Sequence, residues 1–385
     1  MTRPSPGPST RAIHGEVHRV ADRSPLATPI YQSSTFHHPI GSSDEVLYTR
    51  YGNNPNQVVL AEKLAALEGA ERAIFLASGM GATALAHLAM LRPGDHLLAS
   101  EWIYGGTRRL FTEEFGKLGI EVSLLAPDNA RNWRQHVRKT TRAVFVEIPT
   151  NPLMRVPDPG PIAAFCRERG MALIVDSTFA SPVNFRPLHA GADLVIHSAT
   201  KYLNGHSDLI GGVVAGTDSV IEEVRRLMQV WGQSSDPHAA WLAERGLKTL
   251  AVRMERHNAN GLAFAEWAST HPAVSAVHYP GLPDHPDHEI AARILGGYGG
   301  MVGLELAGGA AAAEAALRRL RVASHAPSLG GVETLVSEPR FTSHAALTSE
   351  QRSLQGIPDG FLRVSLGIED IADIIADFAD ALADL

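Results

Sequence analysis

A lysine, a carboxylate and a glycine-rich turn are the residues of this sequence whose types and spacing point most clearly to chemistry. Lys201 stands in the segment SATKYLNGHSD (198–208), directly after the apolar run DLVIHS. The residues around it are rich in hydroxyl and amide groups and short of charge, unlike an ordinary protein surface. A lysine that is partly buried in such surroundings has a lowered pKa and can condense with an aldehyde. Lys201 is therefore a candidate nucleophile.

The glycine-rich turn is GMGATA (79–84), which follows the apolar run AIFLA and opens a helical pattern. Small residues at a strand-to-helix turn let backbone N–H groups approach a phosphate, helped by the helix dipole. The same letters fit the dinucleotide fingerprint Gly-x-Gly-x-x-Gly/Ala, with Glu101 at a suitable distance, so an NAD(P)-dependent oxidoreductase is one alternative. A tight turn without any ligand is another. The turn predicts a phosphate site but does not identify the molecule.

Asp176 ends the apolar run ALIVD and also has more than one interpretation. A carboxylate at the carboxyl end of a buried parallel strand lies where open α/β sheets bind ligands. A magnesium-dependent nucleotide hydrolase would need a Gly-x-x-x-x-Gly-Lys-Ser/Thr loop, which the sequence lacks. A simple cap for the following turn is the alternative without a ligand.

The turn, the carboxylate and the lysine together match the three handles of pyridoxal phosphate. This cofactor has a phosphate, a ring nitrogen that needs an anionic partner, and an aldehyde for a lysine. A nicotinamide cofactor would explain the glycines but would leave Asp176 and Lys201 without a role. The three features therefore predict pyridoxal phosphate.

The elements that must position these residues follow from the hydrophobic pattern between about residues 58 and 245. Leu60, Leu64 and Leu67 fall on one helical face, which Gly69 ends. Beyond them, short runs that are apolar at nearly every position alternate with helix-length segments: AIFLA (73–77), HLLAS (96–100), EVSLL (121–125), AVFVEI (143–148), ALIVD (172–176) and DLVIHS (193–198). Such runs are typical of parallel strands covered on both faces. The sequence therefore predicts an α/β body with a mostly parallel sheet.

The flanking segments have a different pattern. Residues 1–10 are expected to form a mobile tail, and residues 11–51 are irregular and polar. Within the α/β body, 159–169 is one of the helix-length segments between strands. After the α/β body, the pattern predicts a long helix over 239–270, followed by the strands VSAVHYPG, GMVGLEL and GFLRVSLG and by helices at 288–295, 310–320 and 369–383. We expect an N-terminal arm (1–50), a cofactor-binding α/β domain (51–245) and a smaller C-terminal α+β domain (246–385).

The composition limits the classes of function. The 385 residues carry 34 basic and 41 acidic side chains, a formal charge of −7, so no basic surface for nucleic acid is expected. No run of about 18 apolar residues exists, so no membrane span is expected. Cys166 is the one cysteine and reads as inert core, and DHPDHE (284–289) reads as a loop, so no metal site is expected. The N-terminus lacks the profile of a secretory signal, which predicts a cytoplasmic enzyme.

With these motifs the sequence resembles the Cys/Met-metabolism family of pyridoxal-phosphate enzymes, which includes cystathionine γ-synthase, cystathionine γ-lyase, cystathionine β-lyase and methionine γ-lyase. The likeness runs from about Thr10 to the C-terminus. It rests on YTRYGN (48–53), SGMGAT (78–83), YGGT (104–107), EIPTNP (147–152), VDSTF (175–179), HSATKYLNGHSD (197–208), PSLGGVETL (327–335) and LRVSLGIED (362–370). The resemblance implies an aspartate-aminotransferase-like fold (fold type I), assembled as a homotetramer built from two dimers, with active sites at subunit interfaces.

The resemblance also implies roles for individual residues around the cofactor. Lys201 would bond to the cofactor aldehyde, Asp176 would keep the ring nitrogen protonated, and Tyr104 would stack on the ring; these are the expected catalytic residues. The phosphate would be bound by Gly79, Met80, Ser198 and Thr200, and by Tyr48 and Arg50 of the neighbouring subunit.

On the substrate side, the resemblance implies Asn151, Ser328 and Arg363. The planar fork of Arg363 suits an α-carboxylate, because two parallel N–H donors match a planar anion. Glu147 and Thr178 are expected only as supporting groups behind the residues that touch the cofactor.

The resemblance leaves the reaction less certain than the cofactor. The segment TKYLNGHSD is similar to the γ-synthase and γ-lyase branch, and Gly106 stands where methionine γ-lyases have cysteine. Pro327 stands where many γ-lyases have glutamate, as in some γ-synthases. We therefore expect a carbon–sulfur lyase or transferase that acts at Cγ of cystathionine or of an O-acylhomoserine. Cystathionine β-lyase and methionine γ-lyase are the alternatives.

Overall fold

Two β-sheets organise the chain, of which this computed structural model describes residues 6–15, 24–126, 130–345 and 347–385. In the larger sheet the strands follow the order β1-β7-β6-β5-β4-β2-β3. They are β1 (Arg72–Leu76), β2 (His96–Ser100), β3 (Glu121–Leu125), β4 (Thr141–Glu147), β5 (Ala172–Asp176), β6 (Leu194–Ser198) and β7 (Gly212–Gly216). The five strands β2 to β6 run parallel, and β7 pairs antiparallel with β6 and β1.

The prediction of a mostly parallel sheet with helices on both faces is confirmed. The helices of this half are α1 (Pro8–His14), α2 (Pro55–Glu68), α3 (Gly79–Met90), α4 (Gly105–Arg109), α5 (Ala130–His136), α6 (Pro159–Arg169), α7 (Ser181–Asn184) and α8 (Asp218–Trp231). Apolar side chains of α3 and α8 pack on one face of the sheet, and those of α2 and α6 pack on the other. Apolar side chains therefore cover both faces of the sheet, as is required for strands that are apolar at nearly every position.

Local sequence sets the ends of the helix that precedes β1. Helix α2 begins with a capping box. The side chain of Asn54 accepts the backbone N–H of Asn56, and the side chain of Gln57 accepts the backbone N–H of Asn54. It ends at Gly69, whose φ of 72° is left-handed and favours glycine. The sequence prediction of a helix that Gly69 ends is confirmed.

The smaller sheet has the strand order β10-β11-β12-β9-β8. Its strands are β8 (Val274–His278), β9 (Met301–Leu306), β10 (Ser324–His325), β11 (Leu335–Ser337) and β12 (Phe361–Ser365). The helices of this half are α9 (Pro237–Leu247), α10 (Leu250–Ser269), α11 (His288–Ile294), α12 (Gly309–Arg319), α13 (Ser349–Leu354) and α14 (Ile371–Leu382). Helices α10, α12 and α14 pack their apolar faces on one side of this sheet.

One predicted helix is two. The single helix expected over 239–270 breaks at Thr249, where φ is −108° and ψ is 3°. The guanidinium of Arg253, which is buried, donates to the backbone carbonyls of Tyr202 and Gly246 and fixes the break. The apolar periodicity continues through both helices, so it gave no sign of the interruption.

The predicted N-terminal tail is wrong in part. Residues 1–5 lie outside the described residues, but Pro8–His14 form a helix whose end is held by Lys63, which donates to the carbonyl of Ile13 at 2.7 Å. The segment 24–50 is irregular, as expected. Its contact with a neighbouring subunit and the domain limits at 50 and 245 stay predictions.

Candidate active site

The carboxyl ends of β4, β5 and β6 open onto a cavity of about 580 Å³. Cavities of this size bind cofactors and small substrates. The larger sheet provides one wall, and the smaller sheet provides the opposite wall through β12 and the loop before β11. The structure brings together ten of the predicted site residues here: Gly79, Met80, Tyr104, Asn151, Asp176, Ser198, Thr200, Lys201, Ser328 and Arg363.

Lys201 lies just beyond β6, in the turn that follows the strand. Its Nζ donates to the hydroxyl of Ser328 at 2.8 Å, a contact that joins the two halves of the chain. Burial lowers the pKa of Lys201 to about 8, and the positive charge of Arg363 adds to the effect. An amine with this pKa is neutral in about a tenth of the molecules at pH 7, far more than an ordinary lysine, so it can act as a nucleophile or as a base.

Two carboxylates end neighbouring strands at the floor of the cavity. Asp176 on β5 is in register with Glu147 on β4. Burial and the charge of Asp176 raise the pKa of Glu147 well above its usual range. Burial also raises the pKa of Asp176, but hydrogen bonds from Thr178 and the charge of His197 lower it. Because two adjacent carboxyl groups resist being charged together, the larger rise in the pKa of Glu147 favours the ionised form of Asp176.

The first turn of α3 forms a cradle at the other end of the cavity. The side chain of Ser78 caps the helix by accepting the N–H of Gly81 at 2.9 Å. The N–H groups of the first turn, from Gly79 and Met80, then lie at the cavity wall beside Ser198. A Cβ at Gly79 would come within 2.8 Å of the Ser198 side chain, so only glycine allows this approach. Backbone amides at a helix N-terminus bind phosphate groups.

Arg363 forms the substrate-side wall from β12 and is 5% exposed. Its Nη1 donates to Oδ1 of Asn151 and its Nη2 donates to the carbonyl of Ser328, both at 3.1 Å. Its Nε is buried and has no hydrogen-bond partner among the described residues. Because a buried guanidinium that binds only neutral groups is costly, the arrangement suits an anion that enters the cavity.

Tyr104 stands at the mouth of the cavity, immediately before α4, and is 46% exposed. Its backbone N–H donates to Oε1 of Glu147 at 2.7 Å, which ties the mouth to the floor. Tyr48 and Arg50 do not line this cavity. The guanidinium of Arg50 stacks on the rings of Tyr48 and Tyr51 instead. Their predicted contact with a neighbouring subunit's phosphate site stays a prediction.

Several cavity residues were missed by the sequence analysis. Ser78 could have been found, because a serine directly before a helical pattern is an N-cap signal. Some other missed residues come from segments with no periodic pattern: Ile210, Phe341, Thr342 and Ser343. Only the folded chain shows that the loop after β11 returns to the cavity.

The other sequence features have structural roles. Cys166 is buried and burial raises its pKa to about 12, so it is inert core, as expected. Asp287 of the segment DHPDHE binds Arg155 through two hydrogen bonds of 2.5 and 3.1 Å. No group of three histidine, cysteine or acidic side chains in the described ranges could hold a metal ion. In the same ranges no helix is long and apolar enough to cross a membrane.

The two-sheet α/β fold, with a lysine and a carboxylate converging on one cavity, defines the class of pyridoxal-phosphate enzymes that have the aspartate-aminotransferase-like fold. The sequence profile of the family described as "Cys/Met metabolism PLP-dependent enzyme" matches residues 9–383. The chain belongs to this family. It is therefore an enzyme, and the prediction of the family is confirmed, whereas the oxidoreductase alternative finds no support.

Relatives cover the chain almost completely. It is 42% identical to the cystathionine gamma-synthase of Mycobacterium bovis, over 98% of this chain and 97% of that one. It is 40% identical to the L-methionine gamma-lyase of Porphyromonas gingivalis, over 98% of each chain. Among solved structures, metB from Corynebacterium glutamicum has a TM-score of 0.93 at 38% identity over 98% of each chain. The cystathionine gamma synthase of Xanthomonas oryzae, solved with aminoacrylate and cysteine, has a TM-score of 0.93 at 38% identity, over 97% of each chain.

Proposed function

We propose that this chain binds pyridoxal 5'-phosphate in the cavity and acts in trans-sulfuration at Cγ of cystathionine or of an O-acylhomoserine, as a cystathionine γ-lyase or γ-synthase. The observation that carries the proposal is the convergence of Lys201, Asp176 and the first turn of α3 on one cavity. When bound, the cofactor supplies an electron sink for negative charge that develops at the substrate carbon.

The residues present fit this group at each of its handles. The amides at Gly79 form a cradle that a Cβ would fill, which suits a phosphate. Asp176 is a half-buried carboxylate that forms no ion pair among the described residues, which suits a protonated ring nitrogen. Lys201 has a pKa of about 8 and suits an aldehyde.

The chain's own groups then divide the work on the substrate. Arg363 binds the α-carboxylate through the donors that protein groups leave free, and Asn151 orients the guanidinium. The amine of Lys201 would take the proton from Cα of the bound substrate. If its Nζ also reaches the Cβ proton, the substituent at Cγ departs; if it does not, a substituent departs from Cβ. A pKa of about 8 suits proton transfer in both directions near neutral pH.

The wall beside Tyr104 favours cystathionine chemistry over methionine γ-lyase chemistry. A Cβ at Gly106 would lie 2.5 Å from Cε1 of Tyr104 and 3.1 Å from Sδ of Met80. The cavity therefore has no room for a cysteine at this position without a shift of the tyrosine ring. Methionine γ-lyase is the second candidate because a relative with that name is 40% identical.

Product identification tests the reaction. Purified protein with pyridoxal phosphate is given cystathionine, methionine, or an O-acylhomoserine with cysteine. We expect either 2-oxobutyrate with cysteine from cystathionine (γ-lyase) or cystathionine from the third mixture (γ-synthase). Pyruvate with homocysteine would show a β-lyase, and methanethiol from methionine would show a methionine γ-lyase. Either would contradict the assignment but leave the cofactor in place.

The cofactor is tested separately. The protein is expected to be yellow, and borohydride is expected to fix the cofactor covalently on Lys201, as mass spectrometry of the peptides would show. A colourless protein that takes up no cofactor would contradict the whole proposal.

We also propose that the protein is a cytoplasmic homotetramer built from two dimers, with active sites that neighbouring subunits share. This is supported by Arg50 and Tyr48, which lie outside the chain's own cavity. Mixed refolding of inactive Arg50→Ala and Lys201→Ala chains tests the shared site. In a mixed dimer one site carries both defects and the other carries none, so activity is expected to return. Sites formed by single chains would give no recovery.

A further inference from the structure

A buried glutamate–histidine pair lies behind the sheet edge that carries Asp176. Nε2 of His197 on β6 and Oε1 of Glu68, the last residue of α2, are 2.5 Å apart, and each side chain is 1% exposed. The second carboxylate oxygen of Glu68 and Nδ1 of His197 are buried without hydrogen-bond partners among the described residues. Burial of polar groups that are only half satisfied costs stability, so packing alone does not account for the pair.

The pair faces Asp176 across the thickness of the sheet. Asp176 on β5 is in register with Ile196 on β6, and His197 is the next residue. Side chains alternate along a strand, and Ile196 packs on the α3 side. Asp176 and the neighbouring Ser198 are therefore on the cavity side, whereas His197 points to α2 and Glu68.

The charges around Asp176 show what the pair does. Asp176 competes for protons with Glu147 in a buried site, and the charge of His197 lowers its pKa. Among the described residues, the carboxylate of Glu68 is the anion in contact with the imidazole of His197, which is 1% exposed. His189 packs against Gly69, next to Glu68. Burial and the charges of Arg186 and Arg11 lower the pKa of His189, and the charge of Glu68 raises it.

We propose that Glu68 and His197 are positioning residues for the cofactor ring: Glu68 places its negative charge against His197 and fixes the imidazole, and the charge of His197 keeps Asp176 ionised opposite the ring nitrogen. Neither residue lines the cavity, so both act through Asp176. The inference rests on the proposed function, because it needs pyridoxal phosphate to lie with its nitrogen at Asp176.

The test compares two cofactors in the Glu68→Gln variant. A glutamine keeps the shape and accepts the N–H of His197, but it removes the charge. Dissociation constants of the cofactor-free protein are measured for pyridoxal phosphate and for its deaza analogue, in which a C–H group replaces the ring nitrogen. We expect Glu68→Gln to weaken binding of pyridoxal phosphate about tenfold, equivalent to one pKa unit at Asp176, and to leave binding of the analogue unchanged. An equal loss for both molecules, or no loss for either, would overturn the inference.

Two further variants separate charge from shape. Glu68→Asp keeps the negative charge and is expected to return the ratio of the two dissociation constants towards the wild-type value. If it behaved as Glu68→Gln does, the role would be one of fit and the inference would fail. Glu244→Gln is the matched control, because Glu244 is also buried and bonded to α2, through Lys63, but does not act on Asp176. It is expected to leave the ratio unchanged, and thermal unfolding shows that each variant folds.

The wild-type protein distinguishes this inference from the function on which it rests. If the wild type binds both cofactors equally, the assignment of Asp176 to the ring nitrogen is wrong. If the wild type prefers pyridoxal phosphate and Glu68→Gln keeps that preference, only the role of the buried pair is wrong.

Discussion

The buried cations of the cavity and two buried ion pairs elsewhere in the chain are partnered differently. Outside the cavity, Arg155 forms two hydrogen bonds with the carboxylate of Asp287, and Lys63 lies 2.5 Å from a carboxylate oxygen of Glu244. In both of these pairs a cation meets an anion, whereas Arg253, at the break between α9 and α10, donates to backbone carbonyls. Inside the cavity, by contrast, Lys201 donates to a serine hydroxyl.

Arg363 continues this contrast, because it binds an amide oxygen and a backbone carbonyl. The charges of these two ion pairs are neutralised within the chain, which limits the cost of their burial. Lys201 and Arg363 at the cavity are held by neutral groups, so their charge stays available for a ligand. The kind of partner, rather than the degree of burial, separates the two ion pairs from the cavity cations.

The largest effect is expected at Lys201. Lys201→Ala removes the amine that bonds to the cofactor and moves the substrate proton, so turnover is expected to fall by at least about 10³-fold. Because this lysine has no ionic partner to lose, the thermal unfolding temperature is expected to stay near that of the wild type. Steady-state kinetics and calorimetry measure both quantities. Turnover at the wild-type rate would show that the cavity charge is structural.

Arg363→Lys sharpens the contrast on the substrate side. A lysine keeps the positive charge but loses the two parallel donors, so KM for the amino-acid substrate is expected to rise by roughly 10- to 100-fold. The expected change in kcat is smaller, because the guanidinium binds the carboxylate and not the reacting carbons. A matched measurement with the wild type gives both constants. An unchanged KM would place the substrate carboxylate elsewhere.

Asp287→Asn tests the structural region. It leaves Arg155 without its anion, so the free energy of unfolding is expected to fall by roughly 2–4 kcal/mol. Urea denaturation of the variant and the wild type measures the difference. If the loss were no larger than for Lys201→Ala, ionic partners would not distinguish the two regions.

The smallest effect is a shift in pH dependence. The pKa of Lys201 is lowered from 10.5 to about 8, so its reactive neutral form increases as pH rises through 8. The rate at which cofactor-free protein takes up pyridoxal phosphate is therefore expected to rise with pH and to reach half its maximum near that value. Stopped-flow absorbance at a series of pH values measures this. A midpoint near 10 would show a lysine that is not desolvated.

Residues whose position depends on local sequence were predicted well. The apolar runs located β1 to β6. The last position of β5 and the turn after β6 then placed Asp176 and Lys201 at one edge, where the structure has them. This worked because parallel strands all end at the same edge of a sheet. The family resemblance then added Tyr104, Asn151 and the substrate-side residues, which no periodic pattern identifies.

What the sequence did not show depends on contacts between distant segments. Strand β7 is short and has glycine at both ends, and only its pairing with β1 and β6 makes it a strand. The break at Thr249 is set by Arg253, whose guanidinium donates to the backbone carbonyls of Tyr202 and Gly246. The pair of Glu68 and His197 spans 129 positions in the sequence, so no spacing rule could connect its members.

The hydrogen bond between Lys201 and Ser328 crosses from one sheet to the other. The distance from the amine of Lys201 to the guanidinium of Arg363 therefore depends on the relative orientation of the two halves of the chain. A small tilt of one half would move the amine along the substrate backbone, from one carbon to the next. Substitutions far from the cavity wall that change this tilt are therefore expected to change the distance between the two groups.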